Sequence, residues 1–184
     1  MAQANPSGVN RYHPALVALH WALAILLTMS LIGGMAILDG IPNDSPDKIG
    51  ALFGHMIAGS LIAILITVRL IVRFRTSKPP EPDSGSAFLN RIARPVHLLA
   101  YALVFGMVGT GMAMSVMAGL PAIVFFGSGD PLPATFDDLP TRAAHTFIAF
   151  TLIGFIAVHL AAVTMHEMRG TELLRRMWFG DRAT

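Results

Sequence analysis

Cysteine is absent from the 184 residues. That excludes disulfides, iron–sulfur clusters, thiolate zinc sites and haem attached covalently through a C-x-x-C-H motif. Charge is scarce as well: Asp, Glu, Lys and Arg make up 13% of the chain, against about 25% in ordinary soluble domains. In their place stands apolar sequence, 54% hydrophobic with a mean hydropathy of +0.61. Four runs carry it, 14–38, 51–68, 95–118 and 143–165, each close to the roughly 20 helical residues that cross a bilayer core of about 30 Å. The pattern predicts an all-α integral membrane four-helix bundle. Its helices are expected over about 14–38, 49–72, 94–118 and 142–166, in a single transmembrane domain spanning 1–184. The first run exceeds the 7 to 15 residues of a signal h-region and no A-x-A-like site follows it, so it is expected to stay as a helix.

The charges are sorted by side. Arg11, Arg69, Arg73, Arg75, Lys78, Arg91, Arg94, Arg169, Arg175, Arg176 and Arg182 flank one set of helix ends. The other set has only Lys48 and Arg142, with Asp39, Asp44, Asp47, Asp130, Asp137 and Asp138. The excess of Lys and Arg predicts that both termini and the loop around Lys78-Pro79-Pro80-Glu81-Pro82 are cytoplasmic. Cations spread this way mark topology rather than a patch for nucleic acid. Breakers fall where the connections are needed: Gly40, Pro42 and Pro46, then Pro79, Pro80 and Pro82, then Pro121, Pro131, Pro133 and Pro140. The third connection, about 119–142, carries Phe125, Phe126 and Phe136 and is expected to fold back on the membrane surface as a lid. Residues 1–10 and 180–184 are expected to be loose ends.

Seven histidines remain: His13, His20, His55, His97, His145, His159 and His166. Polar groups inside a span are costly and face the bundle interior, so their depth carries the information. His20 lies six residues into the first run and His159 about seven from the end of the fourth, each about 9–11 Å deep at ~1.5 Å per residue. His55 and His145 share a second level near the opposite face. His145 and His159 are fourteen residues apart on one helix, a rise of about 21 Å and a rotation only some 40° short of four turns. Both imidazoles therefore point to one side of the bundle at opposite membrane faces. Zinc wants about four converging ligands, and each level offers two. Haem iron takes four nitrogens from its porphyrin and needs two from protein. Two paired levels therefore point to two b haems, non-covalent and bis-histidine, stacked within the bundle, with His20, His55, His145 and His159 as the iron ligands. A single buried histidine also serves as a hydrogen-bonded core residue or a proton relay, and the matched depths of two pairs favour the haem reading.

Arg11-Tyr12-His13-Pro14, Leu19-His20-Trp21, Gly54-His55, His97-Leu98-Leu99-Ala100-Tyr101, and His145 with His159 together resemble the bacterial cytochrome b561 family. That family is similar to the cytochrome b subunits of formate dehydrogenases and nickel–iron hydrogenases. The resemblance covers about Arg11 to Arg176. It implies a multi-pass protein of the bacterial inner membrane, with His20 and His159 on the cytoplasmic-side haem and His55 and His145 on the periplasmic-side one. It also implies electron exchange with ubiquinone, and one branch of the family resembles a superoxide oxidase that takes electrons from periplasmic superoxide.

Other residues are candidates to act around these haems. Arg69, fourteen residues after His55, falls on nearly the same helix face near the inner level; it either pairs with a haem propionate or snorkels at a helix end. Arg142, three residues before His145, either serves the outer haem or an incoming anion, or anchors the helix end. His97, with Tyr101 one turn on, either helps bind or protonate a quinone or is an interfacial anchor. His13 and His166 read as solvated headgroup-level residues. Gly50 and Gly54 form a G-x-x-x-G that is too common in spans to imply a homo-oligomer.

The reading is thus transmembrane electron transfer between a periplasmic redox partner and ubiquinone. One alternative is a membrane-anchor subunit of a dehydrogenase or hydrogenase. Another, of a different class, is a haem-free proton channel or transporter, which the apolar stretch between the two histidine levels disfavours.

Overall fold

The computed structural model describes residues 9–80 and 87–181. Arg182, Glu81 and Pro82, and the expected loose ends at 1–8 and 182–184, lie outside the described residues. Four helices are long and apolar enough to cross a membrane, and no strand occurs among the described residues.

Helix α1 spans Pro14–Gly33 and continues through a π-helical turn, Gly34–Leu38. His13 opens it by accepting from the Ala15 amide at 3.2 Å, with Pro14 in the first turn where its missing N–H costs nothing. His13 is therefore a helix cap rather than a merely solvated side chain. The wide turn ends with the Asp39 amide donating to the Gly34 carbonyl at 3.0 Å. Lys48, only 5% exposed, reaches back from the next helix and donates to the Leu38 and Ile41 carbonyls, both at 2.7 Å. Helix ends leave carbonyls without intrahelical donors, and this ammonium serves one of them, Leu38, together with the Ile41 carbonyl of the connection that follows.

Helix α2 spans Asp47–Arg75 and α3 spans Ala87–Met117. Pro95 lies inside α3, so the helix begins well before the apolar stretch that marks it in the sequence. A proline removes one amide donor from the ladder; here the helix runs on through it.

The third connection contains a short helix, α4, Leu120–Phe126. It is bracketed by Gly119 (φ 64°) and Gly127 (φ 60°), both left-handed, a conformation that glycine adopts without a Cβ clash. Leu120 and Ile123 are buried, and α4 packs against α2 and α3. Phe125 meets Phe53 of α2 at 5.4 Å between centroids, while Phe126 is 83% exposed. The expected lid is thus a docked helix with one outward phenylalanine.

Helix α5 spans Pro140–Met168, and a final turn, α6, spans Leu173–Arg176. The chain end is tied down where it is described. Tyr12 donates its amide to the Arg176 carbonyl at 3.2 Å, Arg11 donates to the Phe179 carbonyl at 2.9 Å, and Trp21 Nε1 donates to the Met177 carbonyl at 2.9 Å. The backbone carbonyls after α6 thus find donors on the start of α1 up to Phe179, next to the boundary from which a loose end is expected. His166 is also not simply solvated: it is half-buried and its carbonyl accepts from the Thr171 amide and hydroxyl.

Close backbone packing joins α1 to α2, α2 to α3, and α3 to α5. Neither α1 nor α2 packs closely against α5. The buried cluster is Leu23, Leu31, Ile62, Ile66, Val104, Ala149 and Leu152, the last 2% exposed. These residues lie between His20 and Gly34 on α1, between His55 and Arg69 on α2, and between His145 and His159 on α5. They form an apolar layer across the middle of the bundle. Large apolar side chains such as Ile25, Met29, Ile64, Phe147 and Val158 face outward, as lipid-facing positions do.

Candidate functional site

Two histidine couples cross the gap between α5 and the α1–α2 pair. His20 of α1 and His159 of α5 have ring centroids 6.4 Å apart with planes at 69°. His55 of α2 and His145 of α5 have centroids 6.3 Å apart with planes at 76°. Two imidazoles on opposite sides of one metal atom, each bonded at about 2 Å and each with its donor nitrogen roughly 1.15 Å from the ring centre, have centroids about 6.3 Å apart. Both couples stand at that spacing. The backbones of the helices that carry each couple are not in close contact, so the couples rather than main-chain packing bridge α5 to α1 and α2.

Among the described residues no three His, Asp or Glu side chains converge as a metal cluster. A bare cation would find two protein donors at each level and lack the rest of its shell. The donor set suits a metal that brings its own equatorial ligands.

Around the first couple, Trp21 meets His20 edge to face at 5.5 Å, and Phe155 lies parallel to His159 at 6.5 Å. Arg69 reaches across from α2, and its Nη1 donates to the Leu16 carbonyl at 2.6 Å, one turn before His20. The guanidinium is thus held inside the bundle close enough to act on His20 electrostatically. Simple snorkelling out of a helix end does not describe it. Tyr101, whose hydroxyl is buried without a well-formed hydrogen bond among the described residues, lies beside Arg69. His97 is exposed on α3 at the same end, within electrostatic range of both His20 and His159.

Around the second couple, Arg142 pairs with Asp39 at 2.6 Å and with Asp137 at 3.6 Å. Asp39, Lys48, Arg142 and Phe136 line a cavity of about 40 Å³ beside this end of the bundle. Two glycines approach the rings: a Cβ on Gly34 would sit 3.4 Å from His55 Cε1, and one on Gly111 would sit 3.1 Å from His145 Cε1. Gly34 and Gly111 are among the span glycines that the sequence offers as room for a flat macrocycle or as close helix packing, whereas Lys48 and Asp39 read from sequence only as topology charges.

Residues 11–180 match the family model described as prokaryotic cytochrome b561. The chain belongs to the prokaryotic cytochrome b561 family. It is 27% identical over 179 residues to cytochrome b561 homolog 2 of Escherichia coli (strain K12), covering 91% of this chain and 90% of that protein. It is 22% identical over 173 residues to cytochrome b561 homolog 1 of the same organism, covering 92% and 98%. As a family member with four apolar spans, the chain is a multi-pass membrane cytochrome b, whose work is electron transfer through haem b. The spacing of the two histidine couples and the two-donor set at each fit that cofactor.

Proposed function

We propose that the chain holds two b haems, one between His20 and His159 and one between His55 and His145, and conducts electrons across the membrane between a periplasmic redox partner and ubiquinone. The observation that supports this most directly is the centroid spacing of 6.4 Å and 6.3 Å in two couples that share α5. When bound, each haem supplies one iron that takes up and gives back a single electron. With His20 and His159 on one haem and His55 and His145 on the other, the iron would have two protein ligands and no place for oxygen, so the chemistry it would supply is outer-sphere electron transfer.

The residues define what the protein adds. His145 and His159 hold their rings to one side of α5, so both irons face a single interior. The layer of Leu23, Leu31, Ile62, Ile66 and Leu152 keeps water from the space between the couples. Arg69 holds a cation near the His20 end, suited to meet a propionate there. Arg142 and Lys48 place cations at the other end, partly compensated by Asp39 and Asp137. The excess of Lys and Arg at the His20–His159 end assigns that end to the cytoplasm. His97 at the same end is the proposed quinone contact.

A pyridine haemochrome assay on the purified chain tests the reading, with two non-covalent b haems per chain as the expected result. His20→Ala and His159→Ala are expected to lose the same haem, and His55→Ala and His145→Ala the other. One haem or none in the parent chain, or His55→Ala and His145→Ala losing different haems, overturns it. Stopped-flow reduction by superoxide, with and without quinone, then separates a superoxide donor from another periplasmic donor.

A further inference from the structure

His145 rests in a seat made by two consecutive residues of α3. At Gly111 a Cβ would come within 3.1 Å of His145 Cε1 and 3.5 Å of Nδ1, so the ring lies close against the backbone of α3. Next to it, Thr110 Oγ1 is 3.1 Å from His145 Nδ1. A threonine hydroxyl has one proton to give and lone pairs to receive. That proton has its acceptors within α3, the Gly106 carbonyl at 2.8 Å and the Met107 carbonyl at 3.1 Å. The oxygen's lone pairs are left for the imidazole. With the hydroxyl proton directed at α3, the bond to the ring runs from Nδ1, which carries the hydrogen, to the Thr110 oxygen. Neutral imidazole has one N–H, so Nε2 keeps its lone pair for a metal. Had the hydroxyl proton gone to Nδ1 instead, Nε2 would carry the hydrogen and be closed to iron. Among the described residues, no hydroxyl reaches a ring nitrogen of His20, His55 or His159 in this way.

We infer that Thr110 is a positioning residue that fixes the Nδ1–H tautomer and the ring plane of His145, setting the two couples apart electronically. This rests on the haem reading above. A hydrogen bond accepted from the far nitrogen of a metal-bound imidazole orients the ring and raises its basicity. A more basic ligand favours the oxidised iron, so the contact lowers the potential of the His55–His145 couple and leaves the His20–His159 couple alone.

The test compares the full chain with Thr110→Val, which keeps the shape and removes the hydroxyl, and Thr110→Ser, which keeps the hydroxyl. Haem content is measured first, then a redox titration, with the His55–His145 step identified by its loss in His55→Ala. Thr110→Val is expected to raise the potential of that step alone. A lost hydrogen bond of ordinary strength shifts the reduction equilibrium roughly three- to tenfold, up to about 59 mV for one electron. Thr110→Ser is expected to titrate like the parent. Loss of that haem in Thr110→Val with retention in Thr110→Ser also supports the role. An unmoved step in Thr110→Val with both haems present, or an equal shift in Thr110→Ser, overturns it. A parent chain without two b haems overturns instead the cofactor reading, and the first measurement tells the two failures apart.

Discussion

Arg69 of α2 donates to the Leu16 carbonyl of α1 at 2.6 Å, clamping the two helices together one turn before His20. A charge-assisted bond of this kind contributes about 1.5–3 kcal/mol. Arg69→Gln is expected to lower thermal stability and to lower the midpoint potential of the His20–His159 haem, because a nearby cation favours the reduced iron. Arg69→Lys, which keeps the charge but loses the planar fork, is expected to recover most of the potential and little of the stability. A redox titration beside a melting curve separates the two effects. An unchanged potential in Arg69→Gln rules out its pairing with the haem.

Lys48 holds the end of the π-helical turn through the Leu38 and Ile41 carbonyls. Lys48→Met removes both donated bonds at once: the Ile41 carbonyl loses its donor, worth about 1–3 kcal/mol where buried, and the Leu38 carbonyl keeps only the long bond from the Ile41 amide at 3.4 Å. The expected result is faster proteolysis in the 39–46 connection and a lower melting temperature. If limited proteolysis of Lys48→Met follows the parent's time course, the ammonium is not what secures that turn.

Gly111 and Gly59 make a controlled pair. A Cβ at Gly111 presses on the His145 ring at 3.1 Å, while one at Gly59 meets nothing within 4 Å. Gly111→Ala is expected to shift or empty the His55–His145 haem, seen by haem content and by the low-spin ferric resonance signal. Gly59→Ala is expected to keep both haems and to gain about 0.5–1 kcal/mol from the helix preference of alanine. Equal behaviour of the two variants would show that the approach at Gly111 has no bearing on ligation.

Trp21 Nε1 donates to the Met177 carbonyl, and its ring meets Trp178 edge to face at 5.9 Å. Trp21→Phe removes the donor and keeps most of the ring. It is expected to free the segment after α6, read as faster protease cleavage beyond Arg169, with both haems retained. Cleavage at the parent's rate would mean that the remaining contacts, those of Arg11 and the Tyr12 amide among them, keep the segment in place without Trp21.

The four histidines were readable from sequence because membrane depth is one-dimensional: counting residues from the edge of an apolar run gives a level, and 3.6 residues per turn gives a direction. His20 with His159 and His55 with His145 follow from that count alone. Thr110 does not, since its contact with His145 depends on how α3 is rotated against α5, and no periodicity in α3 alone sets that angle. The start of α3 was placed late because Pro95 reads as a boundary, yet the helix runs through it. Lys48 looked like a topology signal because its acceptors, the Leu38 and Ile41 carbonyls, are backbone atoms that no sequence pattern displays. The docked chain end was hidden for the same reason: its anchors on Arg11, Tyr12 and Trp21 all meet main-chain oxygens.

Each couple takes one ring from α5, while the opposing rings are divided between α1 and α2. A slide of α5 along its own axis, or a twist about it, disturbs the upper and lower centres together and in the same sense. If each couple holds a haem as proposed, substitutions on the back of that helix are expected to act on both redox midpoints at once, whereas those on α1 or α2 would adjust one centre without the other.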